Sequence, residues 1–271
     1  MYLHMDMQKS SMETKKKIKA KTVIRIVLVM LAAVFCISIV WGTRAVELSN
    51  ITIISNRLPA SFSGFKIAHI SDFHNTGFGK DNIKLNLMLE EAKPDIIVIT
   101  GDLADSRHTD LDIALSFAGR IMNIAPVYYV TGNHESRLAE YNILEKGLKD
   151  AGVIVLRDER HELKKNNEVI RLVGLDDPQF MPLSEREGKI PYLINSKLKK
   201  LITDSSTFTV LLSHRPELFE TYAANDIDLV LCGHTHGGQF RIPFIGAPIV
   251  PDQGLFPEYD AGLFTDNNTN M

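Results

Sequence analysis

Residues 95–102 read DIIVITGD, four consecutive Ile/Val residues and a threonine that close on a glycine and an aspartate. An unbroken β-branched run of strand length, without polar alternation, predicts a strand buried on both faces, as in a parallel sheet covered by helices. A carboxylate delivered directly after such a strand stands at the carboxyl edge of the sheet, where open α/β sheets bind their ligands.

The same pattern recurs to either side. Further strand-length runs begin at Ile51 (ITII), Phe65 (FKIAHI), Val127 (VYYV), Arg171 (RLVGL), Phe208 (FTVLLS) and Ile227 (IDLVLC). Helical patterns fall between them at Asn82–Ala92, Leu111–Met122 and Arg137–Ala151, the last ending at Gly152 as a C-cap, then at about Tyr192 to Thr203 and, briefly, from Pro216. Alternation of this kind predicts an α/β domain with largely parallel sheet. Residues 153–175 break it and predict a strand followed by a hairpin around the polar turn KKNNE, which gives the sheet a mixed edge.

The N-terminus is of another kind. Residues 1–25 carry seven Lys/Arg against Asp6 and Glu13, a balance of +5, so the rest of the chain holds −8 of a total of −3. A body this acidic does not draw in a polyanion, and no nucleic-acid partner is expected. From Ile26 to Trp41 no residue is charged, and with Val23 and Ile24 the apolar span covers 23–41. That length approaches the ~20 residues of a membrane-crossing helix, with Arg25 able to snorkel and Trp41 placed as an interfacial aromatic. The expected organisation is a basic cytoplasmic head (1–22), a transmembrane anchor (23–41), a linker (42–50) and one α/β domain (51–271), the head cytoplasmic and the domain exported. A cleaved signal peptide, with Thr43–Ala45 as the cleavage site, is the competing reading. Cys36 in the span and Cys232 at a strand end are not expected to pair.

The residues that follow the strands carry the chemistry. Asp72 and His74 come after FKIAHIS, Asp102 after DIIVITG, Asn133, His134 and Glu135 after VYYVTG, His214 after FTVLLS, and His234 and His236 after IDLVLCG. Four imidazoles, two carboxylates and an amide form a mixed N/O set suited to Mn, Fe or Zn rather than to Ca or Mg. Such a set exceeds the needs of one tetrahedral ion and fits two divalent ions sharing a carboxylate, the arrangement that supports in-line displacement at phosphorus. Glu135 reads as the cap of a following helix; Arg137 and Arg215 read as surface ion pairs, with phosphate pairing as the alternative. His4, His69, His108 and His161 match no motif.

In this order SDFHN, TGDLAD, VTGNHE, LSHRPE and CGHTHGGQ, spread over residues 65–239, closely resemble the motifs of the calcineurin-like metallophosphoesterase superfamily, in its membrane-associated bacterial YkuE/YaeI-type branch. The resemblance implies an α/β/β/α sandwich of two mixed sheets. It implies one metal held by Asp72, His74 and His236 and another by Asn133, His214 and His234, with Asp102 bridging them. His134 then corresponds to the family's catalytic histidine. The implied reaction is metal-dependent phosphoester hydrolysis by a bridging hydroxide at the outer membrane face, on a phospholipid or nucleotide-linked lipid. The alternative is a non-catalytic metal-binding envelope protein; a metal-dependent amidase or protease fits less well, since HExxH is absent. No obligate protein partner is predicted. Relatives of this branch continue into an SRGLG-like segment where this chain ends at DNNTNM, which reads as a truncation or as a natural short form; without that segment a bare sheet edge and an incomplete cleft wall are expected. The stretch FRIPFIGAPIVPDQGLFPEY after the last histidine is read either as an apolar substrate wall or as an irregular segment on the core.

Overall fold

Apolar runs too continuous to face water on either side assemble here into two stacked sheets. The structure is a computed structural model that describes residues 19, 21–37, 42, 46–238, 241–242 and 246–271. The chain divides into two units, Met1–Glu47 and Leu48–Met271.

In the first unit, helix α1 covers residues 21–37. Its apolar side chains are exposed, from 42% at Val27 to 68% at Val29. No helix among the described residues is long and apolar enough to cross a membrane. Most of the basic head and residues 38–41, the end of the expected span, lie outside the described residues.

The second unit begins its regular structure later than predicted. Ile51–Ile54 form no strand; Ile51 and Ile54 are exposed and only Ile53 packs inward. Three isoleucines and a threonine without a pairing partner do not make a strand. Strand β1 (Ile67–Ile70) leads through α2 (Ile83–Ala92) to β2 (Ile96–Thr100), then α3 (Leu111–Ile121) and β3 (Val127–Val130). The predicted helix Arg137–Ala151 is two helices, α4 (Asn133–Arg137) and α5 (Tyr141–Asp150), separated where Leu138 takes extended backbone. Gly152, at φ 92°, ends α5 as expected: its N–H reaches Lys149 O and that of Val153 reaches Leu148 O, the paired bonds of a Schellman cap. After β4 (Ile154–Val155) come the antiparallel pair β5 (Glu159–Lys165) and β6 (Glu168–Gly174), the predicted hairpin. Helices α6 (Leu183–Arg186) and α7 (Ile190–Leu201) precede β7 (Thr209–Leu212), and α8 (Phe219–Ala223) precedes β8 (Leu229–Leu231). The C-terminal part adds two short hairpins, β9 (Ile249–Val250) with β10 (Gly254–Leu255), and β11 (Thr265–Asp266) with β12 (Thr269–Asn270).

The first sheet runs β1-β2-β3-β4 with every pairing parallel; the second runs β11-β12-β8-β7-β6-β5 and is mixed. β12 pairs in parallel with β8 at Asn270 and Leu229, so the edge expected to be bare is covered by the chain's own C-terminal hairpin. Three apolar cores alternate with the sheets, as the two-residue period of a strand dictates. Ile97, Ile99, Val127 and Tyr129 face Phe117, Leu144 and Leu148 of the helices. Ile96, Val98, Tyr128 and Val130 point the other way, onto Ile170, Leu172, Val210 and Leu212 of the second sheet. Val173, Leu211 and Val230 then meet Leu198, Phe219 and Tyr222. The result is an α/β/β/α sandwich, and both sheets direct the carboxyl ends of their parallel strands to one rim.

Candidate metal centre

At that rim the backbone leaves its ordinary conformations. Asp72, His74, Asn75, Asp102, His234 and His236 all take φ between 48° and 73°. A left-handed conformation costs a residue with a Cβ roughly 1 kcal/mol, and it persists only where surrounding contacts over-determine it. Those contacts are present: the N–H groups of Asp72, His74 and Asn75 donate to the carbonyls of Gly101, Asp102 and Leu103, which locks the turn after β1 to the turn after β2. Two motif glycines are required by close approach rather than by flexibility. A Cβ on Gly132 would lie 2.3 Å from Asp102 Oδ1, and one on Gly233 1.7 Å from Ser71 Oγ.

The predicted ligands fall into two groups that share one carboxylate. Asp72, His74, Asp102 and His236 place ligand atoms within 4.8 Å of one another, and so do Asp102, His214 and His234. In the first group His74 Nε2 stands 3.2 Å from His236 Nε2 and 3.6 Å from Asp102 Oδ2. In the second, His214 Nε2 stands 3.1 Å from Asn133 Oδ1, 3.2 Å from Asp102 Oδ2 and 3.2 Å from His234 Nδ1. His234 and His236 therefore serve different groups, although two residues apart on a strand would share a face; they lie beyond β8, where the left-handed turn separates them.

The donor set fits divalent cations. Thr100 O lies 2.7 Å from His214 Nδ1 and takes the proton there, so Nε2 turns its lone pair toward three other acceptors. Acceptors held this close repel unless a proton or a cation lies among them. In the metal-free protein the proton is favoured: burial lowers the His214 pKa, but the Asp102 carboxylate, with Asp72 and Asp177, overrides it and pushes it up to about 9. Asp102 answers in the opposite sense, burial working to raise its pKa and the His214 ring holding it well below the usual carboxylate range. Two ions, one per group, would replace that proton and join at Asp102.

His134 follows the ligand Asn133 but stands apart from both groups. Its backbone N–H donates to Asp102 Oδ1 at 2.8 Å, and its ring lies edge-on to His74. The Ser106 N–H donates to His134 Nδ1 at 3.1 Å, so the neutral ring carries its proton on Nε2. Burial lowers the His134 pKa, against the opposing pull of Asp102 and Asp105. Asp105, with Oδ1 3.4 Å from His134 Nδ1, was not read from the sequence; its signal is the second acid of GDLAD, three residues after Asp102.

Neighbouring residues divide between expectation and correction. Glu135 is fully buried and structural: it accepts N–H bonds from Asp102, Gly132 and Ala104, tying two loops together. Burial and then Asp102 push its pKa up to about 7. Arg137 pairs with the Gln179 side chain rather than with an acid. Arg215 is no surface residue. It is 4% exposed, grips Asp177 through Nε and Nη2, and reaches Glu217 and Asp252 through Nη1. Its burial follows from the acids supplied by the end of β6 and by the C-terminal segment, neither of which is near it in sequence. His69 bonds Thr100 Oγ1, His161 lies against the Tyr128 ring and the carbonyl of His108 accepts from Asn75; His4 lies outside the described residues.

Comparison with known proteins agrees with this geometry. Over 215 residues the chain is 30% identical to "Phosphodiesterase YaeI" of Escherichia coli, covering 73% of this chain and 70% of the relative. It is 30% identical over 235 residues to "Uncharacterized metallophosphoesterase YkuE" of Bacillus subtilis, covering 83% and 76%. A "Transmembrane protein with metallophosphoesterase domain" of Danio rerio is 27% identical over 226 residues, which is 81% of this chain and 50% of that protein. A family profile described as calcineurin-like phosphoesterase matches residues 65–238, the segment that contains every predicted ligand, and the chain belongs to that family.

Proposed function

We propose that the protein hydrolyses a phosphoester with two divalent ions, one held by Asp72, His74, Asp102 and His236 and the other by Asp102, Asn133, His214 and His234. The observation that carries this reading is Asp102, which is 1% exposed and belongs to both groups of converging ligand atoms. The bound ions would supply an activated water and neutralise charge at phosphorus. The chain's own residues do the rest. Thr100 fixes the His214 ring, and Glu135 fixes the loop that presents Asp102. His134, with Nε2–H free to donate because Nδ1 accepts from Ser106, stabilises charge on a phosphoester oxygen and assists departure of the leaving group.

The mixed N/O donor set favours Mn, Zn or Fe. The name of the Escherichia coli relative supports a diester as substrate. We place the domain at the outer face of a membrane, with the N-terminus cytoplasmic and a phospholipid or nucleotide-linked lipid as substrate. Support comes from the uncharged stretch Ile26–Trp41, from the basic residues on its N-terminal side alone, from the exposed apolar surface of α1 and from the zebrafish relative's name.

The test is hydrolysis of a chromogenic phosphodiester by the full chain with added Mn²⁺, wild type beside Asp102→Asn. The expected result is metal-dependent turnover in wild type and a loss of at least ~10²-fold in the variant. Failure of a folded, metal-loaded wild type to turn over any phosphoester would overturn the reading.

A further inference from the structure

The family-matched segment ends at residue 238, yet one carboxylate beyond it reaches into the second group of predicted ligands. Asp252 lies in the turn between β9 and β10, 18 residues after His234. Its Oδ2 is 2.9 Å from His234 Nε2, while Nδ1 of the same ring faces His214. The two nitrogens of His234 are thus divided between an acid and the ligand cluster. Arg215 Nη1 also lies 3.1 Å from Nε2 and contacts the same Asp252 oxygen, so acid, guanidinium and ring meet at one point. With Nδ1 turned to the ligand cluster, Nε2–H is the donor to the carboxylate, and the ring is fixed in rotation about its own axis.

Asp252 is itself held. Arg215 Nη1 contacts the same Oδ2, and Nε and Nη2 of that guanidinium donate to Asp177, whose backbone N–H donates to Thr131 Oγ1 at the end of β3. The clamp therefore runs from the end of β3 through the end of β6 and Arg215 to the C-terminal hairpin, and at its end Asp252 Oδ2 and Arg215 Nη1 both meet His234 Nε2. A salt bridge meant only for stability has no need of the ring: Arg215 already has Asp177. The half-exposed Asp252 side chain (52%) contributes little to the core, which leaves orientation of His234 as its function.

We propose that Asp252 is a positioning residue for the second metal, acting through His234, and that the β9–β10 turn is part of the centre although it lies outside the family's matched segment. The proposal rests on His234 being a ligand, and the experiment separates the two ideas. The full chain is stripped with a chelator and titrated with Zn²⁺ against a chromogenic competitor. Bound metal is counted by mass spectrometry, and the metal-free thermal midpoint is recorded. Wild type is expected to take up two ions in two resolvable steps. In Asp252→Ala one step weakens by about 10- to 100-fold, the range found when outer-shell partners of ligating histidines are lost. The other step and the metal-free midpoint stay in place, and Asp252→Glu restores most of the loss. Unchanged binding in Asp252→Ala, with wild type still loading two ions, would overturn the positioning role alone. Equal weakening of both steps together with a lowered midpoint would mark Asp252 as merely structural. A wild type that takes up no second ion would overturn the positioning role and the two-ion reading together.

Discussion

Glu135 shows how one side chain sets the shape of the site without touching a ligand group. Its two oxygens accept three backbone N–H bonds, from Asp102 and Gly132 at Oε2 and from Ala104 at Oε1, in a pocket with no access to water. Removing the acceptor leaves buried donors unsatisfied at roughly 1–3 kcal/mol each. Glu135→Ala should therefore destabilise the protein by about 3 kcal/mol or more, read from the midpoint of urea unfolding. Glu135→Gln should cost about 1–3 kcal/mol, because its single oxygen can serve the pair at Oε2 while its NH₂ meets the Ala104 N–H. If Glu135 acted directly on substrate instead, the Gln variant would keep wild-type stability and lose turnover.

At the scale of elements, the centre depends on turns packed against turns. The turn between β3 and α4 lies so close to the one after β2 that Gly132 has no room for a methyl group beside Asp102 Oδ1. Gly132→Ala should shift the shared carboxylate by a large part of an ångström and lower turnover by about 10²-fold. Metal content after dialysis should fall with it, and intact metal loading in that variant would count against the packing argument. Most of these elements were legible in the sequence. β2, β3 and β7 are runs of Ile, Val, Leu and Tyr broken only by a terminal Thr because both of their faces are covered, and each is followed within three residues by a predicted ligand. Ile51–Ile54 carried the same local signal without a pairing partner, and the break at Leu138 is an extended residue inside a helical pattern. Asp105 had a local signature. Asp252 and Asp177 had none, because their partners His234 and Arg215 are reached only through the path of the chain.

At the scale of the molecule, the unit Leu48–Met271 contains all three cores and every predicted ligand. It should fold and hydrolyse phosphodiesters when expressed from Leu48 onward, which a side-by-side kcat comparison with the full chain will check. The full chain should sediment with membranes and the shortened one should remain in the supernatant. An equal distribution of the two would remove the anchor from the proposal. Metal should stabilise either form: at a free concentration of about 100 times its own Kd, each ion bound adds ~2.7 kcal/mol. For a domain of this size that raises the thermal midpoint by roughly 5–10 °C per site. A chelator should reverse the shift.

A carboxylate that serves two neighbours cannot treat them as strangers. If each group holds an ion, as proposed, Asp102 stands in both, so the first ion to arrive would draw on charge that the second would use and would also fix the side chain that the second must find. The occupancy of either position then changes the affinity of the other, and by thermodynamic reciprocity the factor is the same in both directions. A protein built this way has no independent loading constants. The scarcer metal of its surroundings reports on the more abundant one, and the composition of the pair becomes a property of the environment as much as of the chain.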